Sequence, residues 1–147
     1  MKEIEMLARG VMVRDGQVLV CRNRRKRNTF LPGGHIEVGE PAKTALVREI
    51  REEMGLPATA GRFLGAAEHT FVYGDRRTCE INLVFALTVR GLRPGTAAPS
   101  KEEKLEFFWM PLSRLVRSGL EPAVLRREIP RWLKGRERHW ASTYPRA

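Results

Sequence analysis

Cysteine is scarce in this chain of 147 residues, and its placement suggests no chemistry. The two cysteines, Cys21 and Cys79, have neither metal-ligand spacing nor a secretory context, so a disulfide framework and a zinc site both lack support. Histidine is equally sparse. His35, His69 and His139 form no metal motif and read as structural or exposed. No long apolar run exists either: the longest, Leu83 to Leu87, falls far short of the roughly 20 residues a membrane helix needs. The opening MKEIEMLARG carries acids where a signal peptide requires an apolar core, so the cytoplasm is the expected compartment and no membrane partner is expected. Internal repeats and low-complexity tracts are missing, which removes solenoids and disordered linkers. There is no GK[ST] sequence to suggest a P-loop.

What is present describes a globular domain, with 42% hydrophobic and 30% charged residues. A chain of this length buries roughly two-thirds of its unfolded surface. Residues 1–135 read as a single domain and 136–147 as a C-terminal tail without clear pattern. The net charge of +10 is unevenly distributed. Residues 1–39 carry 8 basic against 4 acidic side chains, and 112–147 carry 9 against 3, while 40–111 balance at 10 each. Basic flanks, above all Arg22, Arg24, Arg25, Lys26 and Arg27, attract polyanions from nucleotides to RNA. A solvated surface that aids solubility has the same composition.

Local signals order the elements. Leu7 to Val13 and Gln17 to Cys21 read as strands around an Asp15-Gly16 turn. Phe30-Leu31-Pro32 reads as extended, and Pro41 to Met54 as a helix, with proline at its start and Gly55 and Pro57 at its stop. Residues 62–73 and 78–89 read as two strands around Gly74-Asp75, followed by a polar loop over 96–104. Phe107 to Met110 reads as a strand, Leu112 to Arg117 as a short helix, and 121–134 as a helix with Leu125, Ile129, Trp132 and Leu133 on one face. Pro130 is positioned to kink that helix. One long helix among strands predicts an α/β arrangement with helices packed on a mixed sheet.

The segment Gly34 to Leu56 carries the chemistry. On the predicted helix Glu49, Glu52 and Glu53 stand at i, i+3 and i+4, so their carboxylates share a patch. Like charges this close repel, and a bound cation would reverse the sign. Oxygen ligands suit Mg²⁺ or Mn²⁺. The three glutamates taken alone describe a solvated acidic face equally well. Arg48 can pair with a neighbouring carboxylate, Glu40 can reach back to the first turn, and Gly33-Gly34 lets backbone approach a ligand closely.

In this frame Gly34, five residues, Glu40, seven residues, Arg48-Glu49-Ile50, one residue, Glu52-Glu53, one residue and Gly55-Leu56 match every fixed position of the Nudix box. The chain therefore resembles the Nudix hydrolase family over roughly residues 5–115. The resemblance implies an α/β/α sandwich with a mixed β-sheet, and hydrolysis of a nucleoside diphosphate linked to another moiety. It implies metal ligation by Glu49, Glu52 and Glu53, with Glu49 or Glu53 also taking a proton from water, and by the Gly34 carbonyl. Glu40 and Arg48 would orient the ligand helix. A further ligand is expected from a loop before a late strand bearing tryptophan: Glu103, with Glu102 and Glu106 as rivals.

Substrate contacts are expected from Arg9 and Arg22, as phosphate binders, and the family resemblance implies Tyr73 as a surface on which a base can stack. Phe71, Phe85 and Phe107 read as core, with one of them a candidate for lining a base pocket. Trp140 and Tyr144 leave a homodimer open. The leading expectation is a pyrophosphohydrolase of (d)NTPs or related free nucleotides. The alternatives are an RNA 5′-end pyrophosphohydrolase, a dinucleoside polyphosphate hydrolase and a non-catalytic nucleotide sensor. An intact set of Glu49, Glu52 and Glu53 speaks against the sensor.

Overall fold

A computed structural model describes residues 3–135 and 139–145. Alternation along the strands explains its layers. In β3 (Gln17–Asn23), Leu19 and Cys21 belong to one buried cluster while Val18 and Val20 belong to another. In β7 (Arg76–Val89), Phe85 and Leu87 join the first cluster and Val84 the second. Strands buried on both faces need a cover on each side. Helix α1 (Ala42–Met54) supplies Ala45, Leu46, Ile50 and Met54 to the first cluster. Helix α2 (Leu125–Leu133) supplies Leu125, Ile129 and Trp132 to the second. The result is the expected α/β/α sandwich.

The middle layer is two sheets rather than one. The first runs β10-β6-β7-β1-β5, with β1 (Ile4–Val11), β5 (Gly33–His35), β6 (Ala58–Tyr73) and β10 (Trp140–Ser142). It is mixed: β1 is parallel to β7 and antiparallel to β5, and β6 is antiparallel to β7. The second sheet contains β2 (Val13–Arg14), β3, β4 (Thr29–Phe30) and β9 (Leu120–Glu121), with β8 (Leu105–Pro111) on the other side of β3. The strand read as Leu7 to Val13 therefore ends at Val11, and the chain changes sheets at Met12. Asp15 (φ 51°) and Gly16 (φ 71°) still make the hairpin turn, but it joins β2 to β3.

Other boundaries move for tertiary reasons. The last helix begins at Leu125, not 121, because Leu120 and Glu121 pair in parallel with Thr29 and Phe30. Pro130 lies inside that helix, which continues to Leu133. The tail contributes β10, which adds to β6 in parallel. His139 lies just before it, with its carbonyl accepting the Ala66 N–H at 2.7 Å. Periodicity could not find a three-residue edge strand. Helix α1 starts after an extended Pro41 and stops at Gly55, whose φ of 73° is left-handed and whose N–H reaches the Arg51 carbonyl at 2.9 Å. Among the described residues, no helix is long and apolar enough to cross a membrane.

Candidate active site

With Ala45, Leu46, Ile50 and Met54 buried, α1 turns its acidic flank toward the edge strand β5. The three carboxylates are not equivalent. The side chain of Glu49 is only 15% exposed, whereas that of Glu52 is 56% exposed. Glu49 lies over Gly34 so closely that a Cβ there would come within 2.6 Å of its Oε1. Only glycine leaves this room.

Arg48 organises the cluster. Its Nε and Nη2 donate to the two oxygens of Glu40 at 2.8 and 2.9 Å, a bidentate pair. Nη1 donates to Glu49 at 3.1 Å and to Glu52 at 3.2 Å, and Nη2 also reaches the His35 carbonyl at 3.0 Å. Glu40 in turn accepts the Glu37 N–H at 3.1 Å. The Arg48 guanidinium, and then that N–H, hold the Glu40 carboxyl below its ordinary range. Arg48 itself grips its proton more firmly, chiefly through Glu40.

Glu53 is the strained member. Burial, and then the Glu49 charge, push its carboxyl up to about 8, with Arg9 opposing and Glu102 and Glu52 adding to the rise. Its Oε2 is buried and, among the described residues, has no hydrogen-bond partner. Beneath it, burial and the Glu53 charge push the Cys21 thiol up to about 12, so that thiol stays protonated. Among the described residues, no three carboxylate, imidazole or thiolate groups converge into a ready cage, because Arg48 draws Glu49 and Glu52 to itself. A divalent cation nevertheless fits this donor set. Mg²⁺ keeps several waters and needs only one or two carboxylates. A cation beside Glu49 and Glu53 would also offset the repulsion and the orphaned oxygen that the protein leaves there.

A cleft of about 520 Å³ opens on the other face of the first sheet. Arg9, Glu80 and Asn82 from β1 and β7 line it, with His69 and Phe71 from β6. Asn28, Phe30, Glu121 and Pro122 close it from the second sheet. Strand β5 is the partition between cleft and acidic helix. Gly34 faces Glu49, while the Gly33 carbonyl accepts from Arg9 Nη1 at 3.0 Å. Arg9 also donates to Leu31 O at 3.2 Å and lies 5.3 Å from the centre of the Phe30 ring. Burial lowers its pKa, and the Glu80 charge is the largest force restoring it.

The sequence-read residues thus separate into groups. Gly34, Glu40, Arg48, Glu49, Glu52 and Glu53 come together, and Arg9 joins them across β5. Glu103 is exposed, and Glu102 is the loop acid whose charge reaches Glu53. That loop is held by the Lys101 N–H, which donates to the Glu53 carbonyl at 2.6 Å. Arg22 stacks on Phe108, 4.5 Å from its ring centre, and is not part of the cleft lining. Tyr73 is 77% exposed at the β6–β7 hairpin end, with Lys26 Nζ 5.9 Å from its ring, and also lies outside the lining. Of the three phenylalanines, Phe85 and Phe107 are core and Phe71 lines the cleft. Sequence reading missed Glu80, Asn82 and Phe30, and took His69 for a bystander. The available signal was polar residues at alternate positions, Glu80 and Asn82, beside the apolar run Leu83 to Leu87 of the same strand.

Comparison with known proteins agrees with the fold and places the chain in a family. A family model described as the NUDIX domain matches residues 5–133. An ADP-ribose pyrophosphatase of Methanocaldococcus jannaschii is 33% identical over 131 residues, spanning 86% of this chain and 73% of that one. The nucleoside triphosphatase NudI of Escherichia coli is 31% identical over 119 residues, spanning 75% and 84%. A solved NUDIX hydrolase from Nitrosomonas europaea shares the fold with a TM-score of 0.70, at 17% identity over 90% of each chain. The chain belongs to the Nudix family and is a hydrolase acting on phosphorus anhydrides.

Proposed function

We propose that this chain hydrolyses a pyrophosphate linkage in a free nucleoside triphosphate or a related nucleoside diphosphate derivative, with Mg²⁺ or Mn²⁺. One observation carries the reading: a buried, unpartnered carboxylate oxygen on Glu53, beside Glu49, stands one strand away from a nucleotide-sized cleft. Glu49, Glu52 and Glu53 would hold the cation, with the Gly34 carbonyl beside them. When bound, the ion neutralises phosphate oxygens and makes water a stronger nucleophile. Arg48 fixes Glu49 and Glu52 through hydrogen bonds, with its own position set by Glu40. Arg9, anchored on the Gly33 carbonyl, presents positive charge between cleft and cluster. Water attacks one phosphorus, its proton passes to Glu49 or Glu53, and the bridging oxygen leaves with the second phosphate. The names of the two relatives, an ADP-ribose pyrophosphatase and a nucleoside triphosphatase, support this substrate range.

A screen of nucleoside triphosphates and nucleoside diphosphate sugars, reading released phosphate or pyrophosphate, tests the proposal. Release that stops in EDTA and returns with Mg²⁺ or Mn²⁺ is expected. No release from any nucleotide with either ion would refute it. A second reading, cleavage at a triphosphate-ended RNA, draws on the exposed run Arg24 to Arg27, which ends at the cleft residue Asn28. Turnover of such an RNA against free nucleotide at equal ionic strength separates the two.

A further inference from the structure

The wall of the cleft formed by β7 is built from hydrogen-bond acceptors. Glu80 and Asn82 stand two residues apart on one strand, so both side chains face the cleft. Asn82 Nδ2 donates to Glu80 Oε2 at 3.3 Å, which fixes the amide orientation, since the reverse would set oxygen against carboxylate. What Asn82 turns elsewhere is its Oδ1. That residue is 1% exposed, and among the described residues its Oδ1 has no partner. Glu80 keeps a second oxygen that no described side chain engages. Among the described residues, no side chain of the cleft other than the Asn82 amide donates a hydrogen bond to either. Arg9, whose charge acts on Glu80, donates its Nη1 to two backbone carbonyls, and the second acid of the lining, Glu121, is held by Arg126 Nη2 at 3.0 Å. Flat walls flank the acceptors: the His69–Phe71 pair, stacked at 5.3 Å, and Phe30 beneath Arg9.

A buried acceptor left unmade costs more than a made bond returns, so this wall favours a ligand that brings donors. An exocyclic amino group carries two N–H donors on one nitrogen, one for each acceptor. A carbonyl in its place sets a third acceptor against the two. From this we infer that Asn82 and Glu80 are specificity-determining residues that select amino-bearing bases over their oxo counterparts. The inference rests on the proposed reading of the cleft as a nucleotide site, and it assigns the chemical group which that site reads.

Paired ligands that differ only by amino against oxo provide the test: CMP with UMP, AMP with IMP, and GMP with XMP. Calorimetric binding in EDTA reads recognition without cleavage. Turnover of the matching triphosphates with Mg²⁺ reads it again as a ratio of kcat/KM. In the pair that binds best, the amino member is expected to be favoured by about tenfold to a hundredfold. In Glu80→Gln the side-chain amide turns a donor into the cleft while leaving an acceptor for Asn82, and the ratio should narrow or invert. Asn82→Leu should bring it within about threefold, with folding checked by melting. Equal binding within every pair, including no binding of any, overturns the inference, as does an unchanged ratio in a folded Glu80→Gln. Amino-selective binding without any cleavage supports the inference and sinks the hydrolase reading. Cleavage without selectivity does the reverse.

Discussion

Replacing Glu53 by glutamine separates the fold's requirement at this position from the reaction's. In the metal-free protein the Glu53 carboxyl is pushed from 4.5 to about 8, mainly by burial. A carboxyl raised on folding binds its proton more tightly in the native state. Its contribution is therefore complete below the unfolded pKa and is lost as pH climbs from about 4.5 to 8. A shift of that size corresponds at most to roughly 5 kcal/mol, and relaxation of the partly open site reduces it to about 2 kcal/mol. Glutamine keeps the shape and stays neutral at all pH values. In EDTA at pH 9 the variant should therefore melt roughly 4–8 °C above the parent, while at pH 5 the two should coincide. With Mg²⁺ the order should reverse, because an ion that binds only the native state adds stability to the parent. Turnover should fall at least about a hundredfold. Differential scanning calorimetry at the two pH values, with and without metal, reads all of this except the rate. A variant less stable than its parent at pH 9 in EDTA would refute the argument that burial makes this charge costly.

Three other substitutions test the framework around it. Arg48→Ala releases Glu40, Glu49 and Glu52 together, so its rate loss and that of Glu49→Gln should overlap in the double variant; losses that add in full would show independent action. Gly34→Ala places a methyl within 2.6 Å of Glu49 Oε1 and should reduce kcat by more than about tenfold, while melting in EDTA shifts by only a few degrees; an unchanged kcat would refute the close fit. Gly65→Ala drives a methyl to 2.6 Å from the buried Trp132 ring and should cost about 1–3 kcal/mol, measured by urea unfolding, whereas a neutral result would mean that α2 shifts freely.

The acidic helix was legible in the sequence because its geometry is local. Residues 48, 49, 52 and 53 are brought onto one flank by the helical repeat alone, and Pro41 and Gly55 mark its ends. Glu40 and Gly34 lie within one short loop of it. The inequality among the glutamates was not legible. Whether a carboxylate meets solvent, as Glu52 does, or is half-buried with one oxygen shut away, as Glu53 is, depends on how α1 rolls against β1, β5 and the loop at Lys101. The late acid was ambiguous for the same reason, because a polar loop has no period to say which of Glu102, Glu103 and Glu106 turns inward. The strand Leu7 to Val13 was misjudged at Met12, where one apolar run serves two sheets in turn.

The cleft was illegible because it exists only through pairing between distant segments. Arg9, Asn82 and His69 share a face because β1 lies beside β7 and β7 beside β6, which no window of sequence reveals. Strand β5 gives this division of labour a physical form. Its Gly33 carbonyl anchors the cleft's arginine, and its Gly34 makes room for the helix's glutamate. Under the proposed function, a nucleotide whose phosphate chain crosses this strand would have its base end among side chains set by strand pairing, and its reacting end among side chains set by helical repeat. No described hydrogen bond or ion pair joins Glu80 or Asn82 to the Arg48 cluster, and Arg9, whose charge acts on both Glu80 and Glu53, is the link between the two sets. Under the proposed function the reaction would therefore be written in a short motif, while the choice of base would rest on isolated polar positions such as Glu80 and Asn82, whose meaning depends on their neighbours across the sheet.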